Sequence, residues 1–343
     1  MMGSKAFLCY NWDSHADYGE RSWVMNVTVL GAGRWGAFLA WYLNRLGHQV
    51  MVWGRADSPN YIELMQTRRN EYLNLPSTVI LTTDLEQAVT FGNTIVISIP
   101  SQSLRGLARV INEYPVAGKT FVLCMKGLEE ATGKRLTQVF NEEVTQNCAA
   151  AIWVGPGHVQ DYINGIPNCM VIGSDNINTT KALVQEFGSE LIRFYYGQDL
   201  IGNEVGAAAK NVIGIAAGML DGYNYSSLKG ALMARGAREI SRLVRAMGGN
   251  ELTVYGLSHL GDYSATLYSP YSHNRAFGEA FVKGKPFTKL AEGVSTCKAL
   301  MHLAERYEIE LPICESVYRI INDKMDAREV LLSLYMRPVK FEF

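Results

Sequence analysis

Gly31-Ala32-Gly33-Arg34-Trp35-Gly36 is the stretch of this chain whose residue types and spacing point most directly to a chemistry. G-x-G-x-x-G between an apolar strand and a helix suits a pyrophosphate. The first glycine allows a tight turn, the second lets the backbone approach the phosphates, and the third lets the helix pack close on the strand. The helix N-terminus then presents unpaired N–H groups to the anion. Six residues alone are a weak signal, but the strand–helix–strand context over residues 27–55 makes them an NAD(P) site. Specificity is decided at the end of the second strand. An NAD site places Asp or Glu there to bind the ribose hydroxyls. This chain reads Trp53-Gly54-Arg55 and has no carboxylate at that place. A planar guanidinium suits a 2′-phosphate, so NADP(H) is expected to be preferred, with NAD(H) left open. The competing reading makes Arg55 a solvated surface residue.

The elements that must carry this turn follow from apolar periodicity. Residues 26–30 and 49–53 read as strands flanking a helix over 35–46 that Gly47 stops. Further strands are expected at 95–99, 120–125, 150–154, 170–172 and 191–195, with helices between them, for example at 84–89 and 133–143. Alternating strands and helices imply a doubly wound parallel sheet of Rossmann type. After about residue 197 strand signals nearly vanish, and 201–220, 229–247, 297–307, 312–322 and 327–335 read as helices. The expected organisation is an extension over 1–25, a dinucleotide-binding domain over 26–197 and an all-helical substrate-binding domain over 198–343.

Composition bounds the function. The chain has 343 residues, 48% hydrophobic and 19% charged, with a formal net charge of -1. That is globular composition with no polyanion-binding bias, so nucleic acid is not an expected partner. The six cysteines, at 9, 124, 148, 169, 297 and 314, form no C-x-x-C pair, and no metal site is expected. They read as thiols of a reducing cytoplasm. No stretch is apolar and long enough to suggest membrane insertion. The first residues include Asp13, Asp17, Glu20 and Arg21 and do not read as a secretory signal.

Several downstream motifs point one way. Lys126-Gly127 follows one strand and Gly155-Pro156 the next. Residues 204–212 read E-V-G-A-A-A-K-N-V, 256–266 read G-L-S-H-L-G-D-Y-S-A-T, and 272–278 read S-H-N-R-A-F-G, before Ala291-Glu292-Gly293-Val294. In this order and spacing the chain resembles the bacterial NAD(P)-dependent sn-glycerol-3-phosphate dehydrogenases from about residue 26 to 335. That family reduces dihydroxyacetone phosphate to sn-glycerol 3-phosphate, which supplies the backbone of glycerophospholipids. The resemblance implies Lys210 as general acid/base, with Asp262 as its catalytic partner. Lys126, Asn211 and Thr266 would line the substrate site, and Ser272, His273, Asn274 and Arg275 would surround the substrate phosphate. Beside Gly31, Gly33, Arg34, Trp35, Gly36 and Arg55, the cofactor would meet Pro100, Lys126, Val159 and Glu292. A cytoplasmic homodimer is expected on the same ground.

The residue types suit that chemistry independently. Hydride delivery to a ketone builds negative charge on its oxygen, and a nearby ammonium can stabilise the charge and donate the proton. Lys210 lies on a Gly/Ala-rich apolar helix, so burial should lower its pKa. The bland alternatives are snorkelling lysines at 126 and 210, a helix cap at Asp262, a core amide at Asn211, and a turn with a solvated charge at Asn274 and Arg275. His48, His158, His259 and His302 show no catalytic spacing.

The chain departs from the family pattern in four places. Its G-P-S/T-x-A-x-E reads Gly155-Pro156-Gly157-His158-Val159-Gln160-Asp161 here, losing a hydroxyl at 157 and placing a bulkier side chain at 159 that would crowd the cofactor. The arginine before the phosphate-binding asparagine is His273, which is only partly charged near neutral pH. The 222–230 loop carries Tyr223, Tyr225 and Lys229, and Ala234 replaces a customary threonine. Two further readings therefore stand beside the first: a related dehydrogenase for another small phosphorylated or acidic carbonyl compound, and a non-catalytic NADP(H)-binding sensor.

Overall fold

The computed structural model describes residues 24–339 and 341–342. Cys9 and nearly all of the expected extension, Asp13, Asp17, Glu20 and Arg21 included, lie outside the described residues. Eight strands form one sheet: β1 (Asn26–Leu30), β2 (Gln49–Trp53), β3 (Ile80–Thr82), β4 (Thr94–Ile97), β5 (Thr120–Leu123), β6 (Ala149–Val154), β7 (Asn168–Ser174) and β8 (Ile192–Gly197). Their order is β3-β2-β1-β4-β5-β6-β7-β8. β1 therefore lies between β2 and β4, in register Val27↔Val50 and Val27↔Thr94. The β-branched runs alternate between two buried faces. Val27, Val29, Val50, Val52, Val96 and Val122 enter one core, and Leu30, Met51, Ile95, Ile97, Phe121 and Leu123 the other. Burial on both faces is what a helix-covered sheet demands.

One junction differs from the expected all-parallel sheet: β6 and β7 pair antiparallel, Trp153 opposite Ile172. A parallel return usually runs back along the sheet through a full helix. The 155–167 connection holds only the five-residue α-helix Val159–Ile163 and reverses the chain instead. The three-residue β3 was not expected from the sequence, being too short to show alternation.

The helices that matter to the site are α1 (Arg34–Arg45), α2 (Leu200–Gly222), α3 (Lys229–Ala246), α4 (His273–Val282), α5 (Glu292–Arg306) and α6 (Pro312–Ile321). The 23-residue α2 is the axis of the helical region and is buried along nearly its whole length. Asp199 caps it, its carboxylate accepting from Gly202 N at 3.0 Å. The helix α4 shows no clear period in the sequence and contains Gly278. It is held by packing: a Cβ at Gly278 would strike Ile215 O, and one at Gly218 would strike Arg275 O. The two backbones thus touch through glycines, and tertiary contact overrides weak propensity. Among the described residues no helix is long and apolar enough to cross a membrane, and no His/Cys/Asp/Glu group could hold a metal ion. The five described cysteines are free thiols.

Candidate active site

The glycine-rich turn sits at the carboxyl end of β1, where the strand order reverses between β1 and β4. Gly31 has φ +118°, and a Cβ there would strike Ser98 O. Gly33 opens onto free space, and α1 begins at Arg34 with its first N–H groups aimed outward. That cradle fits a dinucleotide pyrophosphate. Arg55 follows β2 with its side chain exposed, its Nε 3.4 Å from Asp57. Pro100 leads the turn after β4, and the next residue, Ser101, donates its N–H to Glu292 Oε1 at 3.0 Å and its hydroxyl to Oε2. Glu292 is the first residue of α5, so it ties the helical region to the cofactor edge. Trp35 packs on Phe38, ring centroids 5.0 Å apart. Val159 is buried in the sheet core, so its side chain does not crowd the cleft as the sequence suggested.

Lys126 stands just past β5 and reaches across the ends of the strands. Its Nζ donates to Gly155 O at 2.6 Å and to Asp262 Oδ2 at 2.7 Å. Lys210 comes from the middle of α2; its Nζ donates to Thr266 Oγ1 at 2.7 Å and lies 3.0 Å from the same Asp262 oxygen. Asp262 is 1% exposed and Lys210 7% exposed. Thr266 donates its hydroxyl hydrogen bond to Asp262 O at 2.8 Å from a single turn of π-helix over Ser264–Tyr268. Such turns re-aim a side chain by one residue, and many sit at functional sites. Asn211, next to Lys210, donates Nδ2 to Lys126 O at 2.8 Å and fixes the loop that carries Lys126. Burial pushes the Lys210 pKa down to about 8; Asp262 pulls it back and Lys126 lowers it further. An ammonium poised near neutrality beside a carboxylate and a hydroxyl can donate a proton to a substrate oxygen and take it back.

Two models of known families cover this architecture. The N-terminal model of NAD-dependent glycerol-3-phosphate dehydrogenase matches residues 26–180, and the C-terminal model matches 199–332. The chain belongs to the NAD-dependent glycerol-3-phosphate dehydrogenase family. The glycerol-3-phosphate dehydrogenase (NAD(P)+) of Thermoanaerobacter sp. strain X514 is 36% identical over 331 residues, spanning 93% of this chain and 99% of that protein. The protein of the same name from Desulfitobacterium hafniense strain Y51 is 37% identical and covers 93% of each chain. The crystal structure of glycerol-3-phosphate dehydrogenase from Coxiella burnetii superposes with TM-score 0.85 at 28% identity, over 92% of this chain and 99% of that one. The family expected from the motifs is the family found.

Within that glycerol-3-phosphate dehydrogenase framework the 271–275 stretch is arranged in three directions. Ser272 caps α4, its Oγ accepting from Arg275 N at 3.3 Å. Asn274 turns its Oδ1 to Gly293 N at 2.9 Å. Arg275 is not gathered with Lys126 and Lys210: its Nη1 pairs with Asp221 Oδ2 at 2.8 Å and Glu279 Oε2 at 3.0 Å. His273 bonds Leu290 O through Nδ1 at 3.2 Å, and burial, followed by the Arg34 charge, lowers its pKa. The unusual 222–230 loop has a structural reason. Lys229 is buried with Nζ on Asp221 Oδ2 at 2.6 Å and on Leu267 O at 2.8 Å, so it braces the turn that holds Thr266. Ala234 is exposed on α3, and nothing in the structure explains its replacing a threonine.

Gly157, with φ +147°, also finds its reason here: a Cβ at this position would strike the Tyr162 ring and hydroxyl. Tyr162 fills the space a residue 157 side chain would take, its Oη donating to Pro156 O at 3.0 Å. His158, which shows no catalytic spacing in the sequence, lies beside the turn that carries Thr266. Its Nε2 bonds Ala265 O at 2.9 Å, one residue before Thr266, and its ring meets Tyr271 edge-on at 5.5 Å. The signal lay in its place two residues after Gly155-Pro156, at the mouth of β6. His259 is instead structural, buried between Gly206 O at 2.7 Å and the Tyr263 hydroxyl at 2.6 Å.

Proposed function

We propose that this protein reduces dihydroxyacetone phosphate to sn-glycerol 3-phosphate with NADPH, reversibly, and so supplies glycerophospholipid synthesis. The observation that carries the reading is Lys210, buried, on Asp262 and Thr266, at the carboxyl end of a sheet whose glycine-rich turn fits a dinucleotide. The names of the relatives support the same reaction and support NAD(P) as the cofactor. The bound nicotinamide supplies the hydride. Lys210 holds the proton at Nζ and gives it to the substrate oxygen as negative charge develops there. Asp262 orients both lysines, and Lys126 adds positive charge for an anionic substrate. Asn211 and Thr266 hold Lys126 and Lys210 in place. Ser272, His273 and Asn274 face the phosphate end, while Arg275 acts through Asp221 and not by direct contact. Gly31, Gly33, Arg34, Trp35 and Gly36 receive the pyrophosphate side of the cofactor. Pro100, Lys126, the Val159 backbone and Glu292 bound its nicotinamide side. Exposed Arg55 supports NADP(H) over NAD(H), because its one described carboxylate partner, Asp57, is also exposed.

The division at residues 197/198 and a cytoplasmic homodimer complete the proposal; light scattering of the purified chain tests the dimer. The reaction is tested by NADPH oxidation with dihydroxyacetone phosphate, and a folded, cofactor-saturated protein without turnover would reject it. Tyr162 in the space over Gly157, together with His273, favours one second reading, a related dehydrogenase for another phosphorylated carbonyl compound. A panel of phosphorylated ketones and aldehydes separates the two by kcat/KM.

A further inference from the structure

A phosphorylated substrate is a dianion near neutral pH and needs a cation at the end of the cleft away from Lys210. The 271–274 stretch provides little charge of its own. His273 donates Nδ1–H to Leu290 O at 3.2 Å, so Nε2 of its neutral ring carries a lone pair and has no proton to offer a phosphate. That lone pair repels a phosphate oxygen. The nearby cations are mostly committed: Lys126 and Lys210 to Asp262, and Arg275 to Asp221 and Glu279. Lys289 is solvent-exposed.

Arg34 is placed differently. It is the first residue of α1, so its backbone belongs to the glycine-rich turn. Its side chain leaves that turn and crosses to the helical region, where Nη1 donates to Tyr271 O at 3.4 Å. Its guanidinium lies 5.8 Å from the centre of the Tyr72 ring. Its charge is felt by Lys210, His158 and His273. Glu71, the opposing carboxylate, sits beside Tyr72. The bond to Tyr271 is long, and a guanidinium has five donors in a planar fork that matches phosphate oxygens.

We propose that the Arg34 side chain binds the phosphate group of the substrate beside Tyr271 and His273, while its backbone N–H serves the cofactor. The charge that the 271–274 stretch lacks is delivered from the dinucleotide domain. This rests on the reaction proposed above. One residue then touches both ligands, so phosphate recognition requires the two domains to face each other.

The test is steady-state kinetics of R34Q, R34K and R34Q/H273R with NADPH. For R34Q, KM for dihydroxyacetone phosphate should rise roughly 10- to 100-fold, as expected for loss of charge-assisted hydrogen bonds. Its KM for NADPH should rise by a clearly smaller factor than its KM for dihydroxyacetone phosphate, because the backbone N–H of residue 34 is kept. The ratio of kcat/KM for dihydroxyacetone phosphate to that for unphosphorylated dihydroxyacetone should fall roughly 10- to 100-fold in R34Q, which a merely structural role for Arg34 would not give. R34K should fall between, and R34Q/H273R should recover most of the lost affinity. Turnover by the parent with an unmoved KM in R34Q overturns the Arg34 assignment alone. So does a rise confined to KM for NADPH, or an equal loss with dihydroxyacetone. A parent that does not turn over dihydroxyacetone phosphate overturns the proposed reaction, and this assignment with it.

Discussion

Lys126 and Lys210 meet on one oxygen, Oδ2 of Asp262, at 2.7 and 3.0 Å. One lysine is carried past the end of β5 and the other on α2, so the carboxylate joins the sheet to the helical region. Two ammoniums and one carboxylate leave one net positive charge in a buried place. A net positive charge attracts an anionic substrate and stabilises a developing alkoxide. It also explains why Lys210 can lose its proton near neutrality while a carboxylate touches it: burial and the second ammonium outweigh the attraction.

Under the proposed reaction Lys210 must be protonated to serve the reduction. Its pKa of about 8 sets the sign. In the reductive direction kcat/KM should be level below that pH and fall tenfold per unit above it. The oxidation of glycerol 3-phosphate should behave oppositely, rising to a plateau above about 8. Lys210→Ala should lower kcat by roughly 10²–10⁴-fold and abolish this limb. A variant that keeps kcat within tenfold, or keeps the limb, would remove Lys210 from the role.

Asp262→Asn tests the shared carboxylate. Losing it leaves two ammoniums facing each other, which disfavours the protonated form of Lys210. The alkaline limb of the reduction should move to lower pH by about one unit or more. The parent and variant are compared over the same pH range by initial rates. An unmoved limb would mean that Asp262 does not set the proton affinity of Lys210.

The dinucleotide turn was legible in the sequence because its chemistry is local: three glycines, a strand before them and a helix after. Lys210 and Asp262 are 52 residues apart, and no periodicity joins them; they were found through their surrounding motifs. Their meeting at one oxygen depends on how the Leu260–Asp262 and Ser264–Tyr268 turns stack on α2, which is tertiary. Arg275 shows the opposite case. It sits inside a motif that reads as phosphate-binding, yet Asp221, 54 residues earlier, captures its guanidinium. His158 showed no catalytic spacing because it meets Ala265 in the Thr266 turn, 107 residues on, only in the fold. The antiparallel β6–β7 pairing was hidden because strand signals do not state direction.

Arg55 separates the two nicotinamide cofactors by its charge. Arg55→Asp places a carboxylate where an NAD site would have one, and it opposes a 2′-phosphate. The ratio of kcat/KM for NADPH to that for NADH should fall by roughly tenfold or more, the scale of a charged hydrogen bond. Both cofactors are measured at saturating dihydroxyacetone phosphate. A ratio unchanged by the substitution would make Arg55 a bystander.

Glu239 provides a test of stability away from the site. It is buried on α3, and its two oxygens accept the N–H groups of Ile313 at 2.8 Å and Cys314 at 3.0 Å, at the start of α6. Burial pushes its pKa up to about 7, outweighing those bonds. An unfolded glutamate titrates near roughly 4.3. Between these two values the folded chain holds a proton that the unfolded chain has released, so stability falls as pH rises. The contribution is complete below the unfolded value and lost once pH passes about 7. Other buried groups act in the opposite sense: His259, lowered to about 4, and Lys210, lowered to about 8, both add stability as pH increases over their own ranges. The informative quantity is therefore a difference. Urea unfolding of the parent and Glu239→Gln at pH 5, 6, 7 and 8 should show the parent losing ground to the variant, by up to about 1.4 kcal/mol per pH unit. The other titrations cancel because both chains share them. A difference that does not change with pH would show that Glu239 has the same proton affinity folded and unfolded.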